Sequence, residues 1–446
     1  MPKLDKLINN EVFNSISILW IMQLVSGFCA FLTQVFLARY FEISEYGSIV
    51  TALAVITFVS PIAGFGTGNL WLRCFGKEGW EAFRWIKPSI KAVLLTSALT
   101  FSLVWLWALL VESNSLVRVL IILFSIFVFS QAALELASSA FQLQSKYVEL
   151  ALLQALPNIL KFFVAIIVVV ASFNVKFLAY GYFITGLALV LYCLLYINNL
   201  VKSDISLHGH GPRPQNLIIQ NNPSSIQVLN DSWPFVLAGI FYFIYFQIDL
   251  IMINSMLGPE YSAKYNTAVV ILTATYTVPT VVFQKYLLPK YHIWAEHDKQ
   301  RFYNIFCYSN RIVFLVGFAI GIVTAFLSHW IIELLFGVDY HDAGIVLLIL
   351  SLCIPLRYLS TSVGAALVTG TNMRRKVVYQ GIVALCNVLL NLMLIPRMGI
   401  IGAAISTVLS EALLLALYIF GAMRHVFVLN NGWECFYATN KAKCNR

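Results

Sequence analysis

The chain has 446 residues, 60% apolar and only 11% charged, so it lacks the polar side chains needed to cover a water-facing surface. That excludes a soluble enzyme, and it excludes disorder for the same reason. Its net charge of +9 would suggest nucleic acid in a soluble protein, but in an oily chain it is first an orientation signal. A membrane-spanning helix needs about 20 mostly apolar residues, and twelve segments qualify. The first half gives about 15–37, 46–66, 89–111, 117–140, 148–171 and 177–198. The second half gives about 233–256, 264–288, 309–332, 343–369, 377–396 and 399–424. The bilayer forces these to be helical, because isolated strands would leave backbone groups unpaired in lipid. The expected fold is therefore an all-α integral membrane protein of twelve transmembrane helices in two pseudo-symmetric six-helix bundles. The bundles occupy 1–198 and 233–426, joined by a linker at 199–232 that holds His208, His210, Pro212 and Pro214 and followed by a tail at 427–446. No cleavable signal peptide is expected, since the first apolar stretch is too long.

The loops set the topology. The side shared by the termini and the even-numbered loops carries 21 Lys and Arg, the other side five, so both termini are expected to be cytoplasmic. The halves also repeat. A shift of 226 residues sets Ser125 on Ser351, Gln131 on Arg357, Gln154 on Gln380, Lys161 on Asn387 and Tyr192 on Tyr418; near the second span a shift of 216 sets Thr51 on Thr267. An even number of spans per half makes this a parallel repeat, which places a substrate site between the halves. The eight cysteines form no CxxC pair and predict neither a disulfide framework nor a zinc site. The His208-x-His210 pair has no third ligand nearby. No nucleotide-binding loop, HExxH or Ser-His-Asp set is present. The expectation is a non-enzyme without a cofactor or bound metal.

A charge at the bilayer centre costs roughly 2.5–3.5 kcal/mol even on the mildest scale, so the few within the spans are candidates for function. Gln154, Asn158 and Lys161 follow i, i+4, i+7 and share one helix face, as do Gln131, Glu135, Ser138 and Gln142. Arg357, Ser360, Thr361 and Gly364 form a third polar stripe, and Gln380, Asn387 and Asn391 a fourth. The economical arrangement turns all four towards one water-filled cavity. Lys161 and Arg357 then read either as a cationic wall for an anionic substrate or as structural ion pairs with Glu411 or Glu135. Arg311 is a further cationic candidate or part of the positive-inside rim. Asp249, Glu411 and Glu135 are candidates to carry a coupling ion, or else stabilise a basic partner. Pro157, Pro279 and Pro355 permit kinks, and the aromatic run Phe241–Phe246 offers faces for sugar rings or for packing.

Four segments carry a family resemblance. LARYFEISEYGSIVTALAVITFVSPIAGFGTG (Leu37–Gly68) resembles the opening of the polysaccharide-transporter family, the Wzx-type O-antigen flippases. These share a superfamily with the multidrug extruders and lipid II flippases. MLGPEYSAKYNTAVVIL (Met256–Leu272) resembles the same motif at the start of the second half. LLFGVDYHDAGIVLLILSLCIPL (Leu334–Leu356) and RMGIIGAAISTVLSEALL (Arg397–Leu414) resemble the family's tenth and twelfth helices. The resemblance implies a V-shaped alternating-access transporter with a cationic cavity. It would flip undecaprenyl-pyrophosphate-linked oligosaccharide repeat units across the bacterial inner membrane for O-antigen or capsule synthesis, as a monomer coupled to an ion gradient. Lys161 and Arg357, with Arg311, Gln154, Asn158, Asn387 and Gln380, are then the substrate-binding candidates. A polysaccharide polymerase and a chain-length regulator are the implied protein partners, with membrane lipid around the chain and no nucleic acid. The alternatives are a cation-coupled multidrug extruder, whose midplane should be acidic, a major-facilitator symporter, whose loop 2–3 signature is missing, and a non-transporting scaffold subunit.

Overall fold

The computed structural model describes residues 2–201, 222–280, 298–367 and 373–427, with Leu207, Phe283, Leu287, Tyr291 and Trp294 between them. The His208-x-His210 pair and nearly all of the tail lie outside the described residues. By packing the chain divides into two units, Met1–Ala263 and Lys264–Arg446. The described residues are predominantly helical, without strands. The first unit holds α1 (Pro2–Tyr40), α2 (Ile43–Gly64), α3 (Thr67–Glu78), α4 (Ile86–Leu110), α5 (Ser115–Phe124), α6 (Ile126–Leu143), α7 (Tyr147–Val170), α8 (Val175–Val201) and α9 (Ser225–Leu257). After α10 (Pro259–Thr280), which opens at the end of the first unit, the second continues with α11 (Lys299–Phe326), α12 (Ser328–Phe336), α13 (Ala343–Leu350), α14 (Cys353–Leu367), α15 (Met373–Met398) and α16 (Ile400–His425).

Within the described residues the twelve expected spans fall on helix, apart from short turns such as those at Phe65–Gly66 and Ser125; the eighth is described continuously to Thr280 and the tenth to Leu367. Nine helical stretches among the described residues are long and apolar enough to cross a membrane, or ten if the bent α9 is one span; one of them, Ile43–Leu110, contains both α2 and α4. The exposed faces carry large apolar side chains such as Leu95, Phe163, Ile184, Leu315 and Leu385, as a lipid-facing surface requires. Glycine allows the closest helix approaches. A Cβ on Gly47 would stand 1.7 Å from the carbonyl oxygen of Pro259, and one on Gly317 2.9 Å from the Tyr358 ring.

The internal repeat reappears in the element boundaries. With the 216-residue shift, the start of α2 at Ile43 falls on the start of α10 at Pro259, and Thr51 and Thr267 are both fully buried. With the 226-residue shift, the start of α7 at Tyr147 falls on the start of α15 at Met373. The fourth and tenth spans both break at the paired serines. Ser125 lies between α5 and α6, and Ser351 follows α13. Each hydroxyl donates 2.6 Å to the carbonyl three residues back, Ile122 and Leu348. A side chain that bonds its own helix backbone offers an alternative to the regular ladder, which accounts for a break at these positions.

Within the first unit α1 packs on α7 and α6 on α8, while α2 lies among α4, α5, α6 and α9. The seventh span, α9, thus packs in the first unit, and the division by packing falls after it rather than in the 199–232 linker. In the second unit α16 is central, packing on α13, α14 and α15. Cys29, Cys74, Cys193, Cys353 and Cys386 are free thiols. Cys307 is a disulfide-bonded residue, unlike the sequence expectation.

Candidate functional site

The first unit contains a cavity of about 520 Å³ built from two of the polar stripes. The α6 stripe contributes Gln131, Glu135, Ser138 and Gln142, and the α7 stripe contributes Gln154, Asn158 and Lys161. The i, i+4, i+7 spacing puts each set on one face, and the packing of α6 beside α7 joins the two faces. The remaining walls come from Ser60, Pro61, Gly66 and Asn69 around the end of α2 and the start of α3, and from Phe235, Gly239 and Phe243 of α9. Asn158 also donates 2.9 Å to Ser26 of α1, which fixes its amide.

The wall formed by α2 and α3 depends on a break in the second span. Phe65 and Gly66 both adopt left-handed backbone, with φ of 50° and 63°. Two consecutive residues in that region end α2 and start α3 on a new axis. Thr67 secures the turn by donating 2.8 Å to the Gly64 carbonyl. The first N–H groups of α3 need acceptors, and Glu135 supplies one: its Oε1 accepts from the Gly68 N–H at 3.1 Å. A carboxylate at a helix N-terminus also meets the positive end of the helix dipole. Any Cβ on Gly64 would stand 2.0 Å from the Glu135 carboxylate, and one on Gly66 2.6 Å from Phe235. The run Gly64-Phe65-Gly66-Thr67-Gly68 therefore lets a buried carboxylate and α9 approach the break.

Lys161 sits in this cavity without a carboxylate partner among the described residues. Its ammonium lies 4.3 Å from the centroid of Phe127 and 6.0 Å from that of Tyr182, which gives partial cation–π compensation. Arg357 is different. In the second unit its guanidinium donates 3.3 Å to Glu411, a carboxylate only 2% exposed, and lies 5.4 Å from the Tyr276 ring centroid. Among the described residues, the pairing that the sequence left open is thus formed for Arg357 and not for Lys161.

The other candidates are dispersed. Asn387 is wholly buried, accepting from Asn391 at 3.1 Å while its carbonyl accepts from Ser406, so it belongs to the α15–α16 contact and is closed to solvent. Gln380 bonds the Tyr418 hydroxyl. Arg311 is exposed on α11, and Asp249 is buried in α9. Phe243 of the aromatic run lines the cavity. Sequence reasoning missed Ser60 and Asn69, which line it only because of the break at Phe65–Gly66; the glycine run was the available signal. Among the described residues no three His, Cys, Asp or Glu side chains are grouped to hold a metal.

Comparison with known proteins fits this architecture. No curated protein matches the sequence. The fold is similar to that of the lipid II flippase MurJ in an inward closed conformation, at 16% identity and a TM-score of 0.72, covering 94% of each chain. It is also similar to a multidrug resistance MATE family transporter of the MOP superfamily in its inward-facing conformation, at 14% identity and a TM-score of 0.66, covering 90% of this chain and 94% of that one. The outward-facing conformation of such a transporter aligns with a TM-score of 0.60 at 14% identity, covering 94% and 96%. These likenesses give the fold alone, one shared with the MurJ and MATE structures. Residues 12–290 match the family described as polysaccharide biosynthesis protein, and the chain belongs to that family.

Proposed function

We propose that this chain flips a polyprenyl-pyrophosphate-linked oligosaccharide, an O-antigen or capsular repeat unit, from the cytoplasmic to the periplasmic leaflet of a bacterial inner membrane. The observation that carries the proposal is the cavity of the first unit: a mid-span lysine without a carboxylate partner among the described residues, facing a wall of amides and hydroxyls. A cation held at such depth is costly unless it serves a substrate, and amides and hydroxyls match the donors and acceptors of sugars. Family membership supports polysaccharide synthesis as the setting. The basic bias of one set of loops supports cytoplasmic termini, and the repeat supports two halves, 1–198 and 233–426, working against each other. Glu135, Asp249 and Glu411 remain the proposed ion-coupling groups, and Glu135 is the one in the cavity wall.

A second reading, export of cationic drugs, draws on the same Glu135. Its carboxylate already accepts from Gly68, which leaves less of it for a cationic ligand. Deleting the gene separates the two. The flippase reading expects lipid-linked repeat units to accumulate on the cytoplasmic face and surface polysaccharide to be lost. Unchanged polysaccharide with raised drug sensitivity would establish the second reading instead.

A further inference from the structure

Basic residues near a membrane rim serve orientation whichever way they point. Lys87 and Lys91, at the start of α4, are set apart by their direction. Lys87, Lys91, Leu94, Leu95 and Ala98 recur at three- and four-residue steps and are all exposed, so they form one stripe of the helix. The stripe continues through Leu106 and Leu109, which are also exposed, as a lipid-facing surface requires. The two ammonium groups therefore face the same lipid as the leucines and not a protein interior.

Their depth suits a headgroup. Twenty residues separate Lys91 from Glu112, the next charge along the chain. At about 1.5 Å per residue these span about 30 Å, the thickness of a hydrocarbon core. Lys91 thus stands at the edge of the core, and Lys87 about 6 Å farther out. Trp80 and Trp85, just before them, are half-buried, as aromatics at a membrane interface are.

The surroundings leave both lysines available. Arg73 and Arg84 of the same loop are engaged, the first with Asp231 at 3.8 Å and the second with Glu78 at 3.1 Å. The Glu78 carboxylate also accepts from the Trp85 indole at 3.2 Å. Among the described residues Lys87 and Lys91 form no ion pair, and the exposed Glu81 pairs with neither. The first turn of α9 adjoins them, the Ser225 hydroxyl donating 3.3 Å to the Pro88 carbonyl. It brings the positive end of a second helix dipole to the same place. Two ammonium groups one turn apart, above an apolar stripe, match a phosphate carried on acyl chains.

We propose that Lys87 and Lys91 bind the phosphate of an anionic phospholipid whose acyl chains lie along the leucine stripe of α4. This site does not depend on what the transporter carries. The test is native mass spectrometry of the full-length protein, released from a nonionic detergent after titration with dioleoylphosphatidylglycerol or dioleoylphosphatidylcholine at low salt. A basic residue near an anionic headgroup favours binding about fivefold, so two predict about thirtyfold tighter binding of the phosphatidylglycerol. K87Q and K91Q should each lose about fivefold of that preference; K87Q/K91Q should lose it altogether, and K87R/K91R should keep it. The control is R374Q/R375Q, which removes two exposed arginines at the start of α15 and should retain the preference. Equal binding of the two lipids by the wild type, an unchanged preference in K87Q/K91Q, or an equal loss in R374Q/R375Q would each overturn the proposal. These positions are exposed, where substitutions rarely disturb folding, and the single variants decide the question should the double variant not fold.

Discussion

Replacing Glu411 with alanine should destabilise the protein far more than replacing Lys161 with methionine, although both are charges within spans. Glu411 is 2% exposed and its partner Arg357 16%, at 3.3 Å. Removing one member of a buried pair typically costs about 3–5 kcal/mol, because the surviving charge is left uncompensated. The Tyr276 ring 5.4 Å from the guanidinium and the residual exposure of Arg357 offset part of that, so the lower end, about 3 kcal/mol, is expected. Removing both charges together, as R357M with E411L, should restore most of the loss. Lys161 has no such partner among the described residues, so K161M removes a desolvated charge without stranding another and should be neutral or stabilising. The assay is denaturant unfolding in detergent micelles, arranged as a double-mutant cycle over Arg357 and Glu411. A coupling energy below about 0.5 kcal/mol, the level at which independent sites simply add, would refute the pairing argument.

Two further predictions concern stability. G47A should lower the melting temperature sharply, since its Cβ would stand 1.7 Å from the Pro259 carbonyl oxygen and helix backbones must part; G76A, with nothing within 4 Å, is the control and should be neutral or slightly stabilising. Lys264 binds Asp342 at 2.7 Å and holds its carboxyl below the ordinary value of 3.8. A depressed folded-state value means this contribution is present above that ordinary value and is lost as pH falls through the folded one. D342N should therefore flatten the acid limb of a stability–pH curve below about pH 4; an unchanged limb would show that the pair contributes nothing there.

The helices were legible because a bilayer permits little else: long apolar runs become spans, and polar residues three and four apart fall on one face. That logic found both cavity-lining stripes and the repeat marked by Ser125 and Ser351. Which stripes meet was not legible. Arg357 and Lys161 look equivalent along the chain, and only packing brings Glu411 to one of them. Asn387 repeats Lys161 in sequence, yet it is sealed against Asn391 and the Ser406 hydroxyl. Glu135 reads along the chain as a coupling candidate or a partner to a basic group; its hydrogen bond to Gly68, which depends on the left-handed turn at Phe65 and Gly66, is visible only in the fold. Neither charge nor hydrophobic period encodes such a turn; the glycine run is its trace.

The central claim is that this chain moves a lipid-linked glycan across a bilayer. The direct measurement is reconstitution of the purified protein into vesicles loaded with a polyprenyl-pyrophosphate-linked oligosaccharide, following the fraction of glycan open to a lectin added outside. The account predicts that the protein equilibrates the glycan between leaflets well above the rate in protein-free vesicles. Equal rates with and without protein, in vesicles that do transport a cationic dye, would contradict it.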